Sequence, residues 1–187
     1  MEELEQQLAR YRPRRSLLRV MARRSAVALI LQQRGEQTYL LMIQRAERVG
    51  DPWSGHMAFP GGHMERSDRH GRAAAARETA EEIGLDLSDV PCIGRLSDVM
   101  ARPKMPRPMI VSPYVFRLDE EVDFVLNYEV ADTVWIPVSY FLDSTNREQM
   151  KWMYRGVSID LPCYFYQGKR VWGLSLSMLD ELLKIIG

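Results

Sequence analysis

The sequence predicts a mixed α/β or α+β sandwich, and three observations carry that prediction. β-rich runs lie on both sides of one alanine-rich helical segment, and turn signals join neighbouring runs as hairpins. Neither a Gly-x-Gly-x-x-Gly nor a Gly-x-x-x-x-Gly-Lys-Ser/Thr phosphate loop marks a regular doubly wound nucleotide fold. At 187 residues, 46% hydrophobic and 27% charged, the chain suits one domain of ordinary size with enough apolar material to enclose a core.

Taken in order, Glu2 to Tyr11 reads as a short peripheral helix, which Pro13 separates from an arginine-rich connector. Ser25 to Gln32 is a β-rich run, Arg34-Gly35-Glu36 a turn and Thr38 to Gln44 a second run, so together they predict a hairpin. A loop of turn formers from Arg48 to Ser54 leads through His56-Met57-Ala58-Phe59 into Pro60-Gly61-Gly62. Ser67 or Asp68 is placed to cap a helix over Ala73 to Ile83, and Gly84 suits the left-handed position that ends it. Strands are expected at Cys92–Val99, Met109–Arg117 and Thr133–Pro137. Cys163 to Gln167, the turn Gly168-Lys169 and Arg170 to Trp172 then precede a closing helix from about Ser175 to Ile186.

Lys+Arg and Asp+Glu are 25 each, so overall charge steers the chain toward neither nucleic acid nor membrane. That balance hides an asymmetry, because Leu8 to Arg24 holds seven arginines and no acid. The stretch reads as a solvated connector, with a phosphate-attracting surface or a dimer contact as functional alternatives. Glu2, Glu3 and Glu5 argue against a transit peptide. Cys92 and Cys163 are too few for a disulfide scaffold or a cysteine-based zinc site and fit free thiols in a reducing cytosol. No apolar run approaches the ~18 residues of a membrane span, so a soluble cytoplasmic protein is expected.

The chemistry concentrates on the alanine-rich helix. Glu78, Glu81 and Glu82 stand at i, i+3 and i+4, which predicts three carboxylates on one face within about a turn. Ala73, Ala76, Ala80 and Ile83 fall on another face and are expected to pack on a sheet. Crowding like charges lacks a structural return unless cations bind, and hard Mg²⁺ or Mn²⁺ would supply it while keeping coordination positions for phosphate and water. Taken alone, Glu-x-x-Glu-Glu also reads as an ordinary solvated acidic face.

Context decides between these readings. Arg77-Glu78-Thr79-Ala80-Glu81-Glu82-Ile83-Gly84-Leu85, with Phe59-Pro60-Gly61-Gly62 upstream, resembles the Nudix box in its second half, although Thr79 only loosely meets an aliphatic position. The first half departs from the usual pattern, since Arg69 and His63 occupy the places of its glutamate and glycine, and the glycine pair lies one residue farther upstream. That longer spacing is similar to the coenzyme A pyrophosphatase-like branch, and Glu65 and Asp68 fall on its two acidic positions. The likeness covers roughly Ser25 to the C-terminus. It includes Arg45, Gly55 to Gly62 after a loop lengthened around Asp51-Pro52-Trp53, Asn127 to Val130, Trp135-Ile136-Pro137, and Pro162 through Trp172-Gly173-Leu174-Ser175.

The resemblance implies a Nudix-type α/β/α sandwich with a mixed central sheet over residues 25–187, preceded by an N-terminal helix and basic connector over 1–24. It implies water attack on a phosphoanhydride of a nucleoside-diphosphate-linked small molecule, coenzyme A or a derivative before ADP-ribose, NADH or another dinucleotide. A non-catalytic nucleotide sensor is the alternative of another class, disfavoured by the three intact glutamates. Metal ligation falls to Glu78, Glu81, Glu82 and the Gly62 carbonyl, with Mg²⁺ or Mn²⁺ as the cofactor. Glu78, Glu81 and Arg77 form the catalytic set, Arg77 orienting a carboxylate rather than binding substrate. Glu120, Glu121, Asp123 and Glu129 are candidates for a further loop acid, and Arg14-Arg15 or Arg102-Pro103-Lys104 for the 3′-phosphate. A homodimer is consistent with family precedent, and neither a nucleic-acid nor a membrane partner is expected.

Two weaker patterns complete the reading. His56, His63 and His70 recur every seven residues, but without a helix across them this reads as coincidence, leaving His63 a role near phosphate. Trp53, Trp172 and Tyr164 to Tyr166 read as core first and base-stacking surface second, and the methionines as core filler.

Overall fold

The computed structural model describes residues 1–50, 54–101, 108–154 and 156–187. Asp51-Pro52-Trp53 and Arg102-Pro103-Lys104 lie outside the described residues. The chain opens with α1 (Glu2–Arg10), and the strands begin with β1 (Arg23–Arg34) and β2 (Gln37–Arg45). The expected hairpin forms, pairing Ile30 with Leu41 through Arg34 with Gln37, and Gly35 takes the positive φ of 59° that its turn needs.

Next come β3 (Met57–Ala58), β4 (Gly61–His63), α2 (Gly71–Ile83), β5 (Cys92–Arg95), β6 (Val99–Ala101), β7 (Met109–Leu118) and β8 (Val130–Pro137). After α3 (Val138–Leu142), the strands β9 (Arg147–Tyr154), β10 (Val157–Tyr166) and β11 (Lys169–Trp172) lead into α4 (Gly173–Ile186). The described residues form one eight-stranded sheet, ordered β3-β2-β1-β7-β5, with β8 on β2, β4 on β1 and β6 on β7. β1 and β7 run parallel from Arg23 opposite Met109 to Gln32 opposite Leu118, whereas the other pairings are antiparallel. The sheet is therefore mixed.

β1 is apolar on both faces because both faces are covered. Ala28, Ile30, Leu41 and Ile43 pack under Ala74, Ala75 and Ile83 of α2. Leu29, Leu31, Leu40 and Met42 belong to the opposite cluster with Leu176, Leu179 and Leu182 of α4 and Phe141 of α3. This is the expected α+β sandwich.

Three expectations are corrected. α1 is not peripheral: Leu4 and Leu8 are buried in the α4-side core, and a Cβ on Gly94 would come within 3.1 Å of Leu8. The strand expected over Cys92–Val99 is two strands. Its register slips between Cys92 and Gly94, and Ser97 N–H and Asp98 N–H are drawn off to the Glu181 carboxylate (3.0 Å) and the Arg14 carbonyl (2.9 Å). The tail holds more strand than its apolar pattern announces, because β9 pairs along β10 from Arg147 opposite Tyr164 to Tyr154 opposite Val157 in a separate three-stranded sheet.

Candidate active site

α2 starts earlier than its alanines suggest. His70, not Ser67 or Asp68, caps it, its Nδ1 accepting from Ala73 N–H at 3.1 Å. Gly71 follows, where a Cβ would lie 2.6 Å from the Tyr114 hydroxyl. Asp68 instead accepts from Glu65 N–H at 2.8 Å and pairs with Arg77 at 3.1 Å. Burial alone would raise its carboxyl, but the Arg77 hydrogen bonds and charge lower it. Gly84 ends the helix as expected, at φ 71°.

The buried face of α2 differs from the expected Ala73-Ala76-Ala80-Ile83 stripe. Ala74, Ala75, Thr79, Glu82 and Ile83 are buried, while Ala80 is exposed. The small Ala74 and Ala75 share the core with Ala26 and Ala28 of β1, which turns Glu82 into the interior. The expected convergence of three carboxylates is thereby corrected to two. Glu82 is 3% exposed and accepts from Gly61 N–H at 2.8 Å, and Glu78 lies beside Gly62. The Glu81 side chain is 55% exposed and sits on Arg77 at 3.1 Å.

The glycine pair is required by this packing. Gly61 has φ 144°, and a Cβ there would stand 2.3 Å from the Ala26 carbonyl oxygen. A Cβ on Gly62 would stand 2.5 Å from the Glu78 carboxylate. β4 therefore brings its backbone against the buried Glu82 and the half-buried Glu78, an approach that side chains at these two positions would disturb.

Arg77 organises the surrounding groups. It donates to Glu78 Oε1 at 3.0 Å, both Glu81 oxygens, both Asp68 oxygens and the His63 carbonyl at 2.9 Å. The hydrogen bonds it donates to Asp68 above all hold its guanidinium charged. Burial pushes the Glu82 carboxyl up to about 7; Glu78 and Glu129 add to the rise, and the Gly61 hydrogen bond and Arg45 oppose it. Burial also raises Glu78, with Arg77 pulling it back.

These acids line a cavity of about 850 Å³. Glu78, Glu82, Glu129 and Arg45 contribute its charged lining, and Trp152, Trp172, His56 and Met178 its aromatic and apolar lining. Of the four loop acids considered, Glu129 alone lines the cavity; Glu120, Glu121 and Asp123 are exposed. Its position follows from the loop being clipped to the end of α2, with Asn127 N–H on the Glu82 carbonyl at 2.9 Å and Asn127 Oδ1 accepting from Glu129 N–H at 2.8 Å. Arg48 then donates to Glu129 Oε1 at 3.3 Å.

The three histidines do separate work. His56 meets Trp172 edge-on at 5.1 Å, His63 Nδ1 is held 2.9 Å from Ser25 Oγ beside the cavity, and His70 caps α2. Trp172 is a cavity wall packed 4.6 Å from Trp152, whereas Tyr164 is core and its hydroxyl donates to the Phe141 carbonyl at 3.0 Å. Trp152 is a cavity residue that the sequence reading missed, because no strand is legible around it. Among the described residues, no group of three His, Cys, Asp or Glu side chains is arranged to hold a metal ion.

A helix laying a buried and a half-buried glutamate against a glycine pair, under a mixed sheet flanked by helices, defines the Nudix class of fold. The NUDIX domain family model matches residues 21–155, and the chain belongs to that family. It is 31% identical over 169 residues to the Nudix hydrolase NudL of Enterobacter sp., covering 90% of this chain and 85% of that protein. An uncharacterised Schizosaccharomyces pombe protein is 53% identical over 49 residues, and there the chain spans only 15% of the relative's length. Among solved structures, a Caenorhabditis elegans Ap4A hydrolase complex superposes with TM-score 0.53 at 19% identity, covering 65% of this chain and 84% of that one. The NUDIX domain of Shewanella oneidensis NrtR, complexed with ADP-ribose, gives 0.52 at 18%, covering 73% and 84%. The protein is thus a hydrolase of the Nudix type, a group that generally works with divalent metal ions.

Proposed function

We propose that the protein hydrolyses the phosphoanhydride bond of coenzyme A or a coenzyme A derivative with Mg²⁺ or Mn²⁺, releasing a 3′,5′-ADP product and a phosphopantetheine product. The observation that carries the hydrolytic reading is Glu82, a carboxylate sealed into the cavity wall with Glu78 and Glu129 nearby. A buried acid in that company is held against its own ionisation, and a divalent cation is the compensation its oxygens suit.

Glu82 would be the principal ligand, joined by Glu78 and by the carbonyl of Gly62, the residue whose bare Cα lies against the Glu78 carboxylate. Glu81, on the same turn, completes the set when Arg77 releases it. When bound, the metal lowers the pKa of water and neutralises phosphate charge. Gly61 N–H fixes one Glu82 oxygen, Arg77 fixes Glu78, and Glu78 takes the proton of the attacking water. His63, pinned by Ser25, offers an N–H to a phosphate oxygen. Water oxygen bonds to phosphorus as the anhydride P–O bond breaks, leaving two phosphate monoesters.

Coenzyme A is favoured over ADP-ribose, NADH and dinucleoside polyphosphates for two reasons. The tail segment that resembles the coenzyme A branch carries Trp172 into the cavity, and the cavity combines acidic with aromatic and methionine side chains, a lining suited to a diphosphate with a long organic arm. Turnover of these four substrates with Mg²⁺ or Mn²⁺, with products identified by mass, tests both levels. Preferred cleavage of coenzyme A supports the substrate; a faster rival overturns it; no turnover of any with either metal overturns hydrolysis.

A further inference from the structure

The connector between α1 and β1 presents an inverted amphipathic turn. Leu17–Val20 forms a 3-10 turn, in which residues i and i+3 stand in line, so Leu17 and Val20 share one side. That side faces solvent: Leu17 is 94% exposed, Val20 93%, and the next residue, Met21, 78%. The charged residue between them turns the other way. Arg19 packs inward to Asp98 at 3.5 Å, and the Asp98 side chain is 1% exposed.

The turn is held in this orientation by the body of the protein. Asp98 accepts from Ser16 N–H at 2.9 Å and from the Ser112 hydroxyl at 2.8 Å, and also pairs with Arg95. Ser97 Oγ accepts from Arg14 N–H at 2.9 Å, and Arg23 N–H is fixed on the Pro108 carbonyl at 2.9 Å. Folding that buries an arginine contact and expels three large apolar side chains leaves those side chains without a role inside the chain. Around them, Arg12, Arg14, Arg15, Arg23 and Arg24 are all exposed, within a stretch that contains no acid.

We propose that this turn is a membrane-surface anchor, with Leu17, Val20 and Met21 entering the outer acyl region of an anionic bilayer and the flanking arginines meeting lipid phosphates. Side chains exposed this fully form a protruding tip rather than a flat or grooved face, and a bilayer accepts a protruding apolar tip. The exposed arginines supply the complementary charge. A second copy of the chain is disfavoured as occupant, because two-fold association through this tip would set one arginine cluster against the other. The zero net charge of the whole protein does not oppose the docking, since exposed charges farther away than about 10 Å are largely screened at physiological salt. Arg23 is the register partner of Met109, a cavity-wall residue, so attachment holds the active-site end of the sheet toward the bilayer.

Co-sedimentation of the full chain with phosphatidylcholine vesicles, with and without about one-third phosphatidylglycerol, tests this. The expected result is about tenfold stronger binding to the anionic vesicles, weakened by salt and lost both in Leu17→Ser/Val20→Ser/Met21→Ser and in Arg12→Gln/Arg23→Gln/Arg24→Gln. Hydrolase activity on soluble substrate in both variants is expected to match the parent, which shows that they fold. Three results overturn the proposal: no binding to anionic vesicles, binding that survives the apolar substitutions, or a dimer in light scattering that those substitutions abolish. None of them bears on whether the protein cleaves coenzyme A.

Discussion

The acidic and the aromatic linings of the cavity are assembled by opposite means. Glu78 and Glu82 of the acidic lining come from one stretch between Gly61 and Glu82, in which a single helix holds Glu82 on Gly61 N–H and lays Glu78 against Gly62. The aromatic lining is gathered from Trp152 on β9, Trp172 on β11, His56 ahead of β3 and Met178 on α4. The first is rigidly specified by close backbone approach; the second rests on side-chain packing between elements far apart in the chain. If the acids carry the chemistry and the aromatics the choice of substrate, the first is written locally and the second globally, and substitutions in the two linings should separate along that line.

The largest effect is expected at the acidic lining. Glu82→Gln keeps the shape and the acceptor for Gly61 N–H but removes the charge, and steady-state kinetics should show kcat down by about 10²–10³-fold. A variant that retains parental kcat removes Glu82 from the site. Gly62→Ala should lower kcat by about 10–100-fold, since its methyl group must displace the Glu78 carboxylate.

The same buried acid sets a pH dependence in the metal-free protein. Its folded pKa of about 7 lies above the ordinary 4.5, so the stability it lends is complete below about 4.5 and lost as pH rises through about 7. Thermal melts between pH 5 and 8 should fall by an amount worth on the order of 1–3 kcal/mol, and Glu82→Gln or added Mg²⁺ should flatten the decline. A Tm that rises over this interval contradicts the assignment.

In the aromatic lining the signature changes. Trp172→Ala should raise KM for coenzyme A by about tenfold with little change in kcat, because it removes contact area rather than a ligand. The smallest effect is expected from Glu81→Gln, exposed and tied to Arg77: a loss of less than about tenfold, recovered at high Mg²⁺. An effect equal to that of Glu82→Gln would show that the two glutamates act as equals.

The same division explains what was legible in the sequence. The β1–β2 hairpin, α2 and its Gly84 terminus follow from periodicity and turn chemistry over short windows, and the Gly61-Gly62 pair with its glutamates follows from spacing. The rotation of α2 does not, because the choice between Ala74-Ala75 and Ala73-Ala76-Ala80 as the buried stripe depends on the alanines of β1 opposite. Without that rotation, Glu81 and Glu82 look equivalent. Glu129 was one of four equal candidates until the contact between Asn127 and the end of α2 brought it inward. β9 escaped notice because its burial is confined chiefly to Met150, leaving little alternation to read.

The parallel pairing of β1 with β7 bears on the order in which the molecule folds. The strands that seat α2 from below are separated in the chain by α2 itself, so closing the middle of the sheet requires a long loop to be drawn together first. During synthesis the glutamate helix emerges before β7 exists to complete the sheet beneath it. Hydrogen-exchange labelling during refolding should therefore find β1–β2 amides protected ahead of those between β1 and β7, with the Glu78–Glu82 region among the last to become ordered.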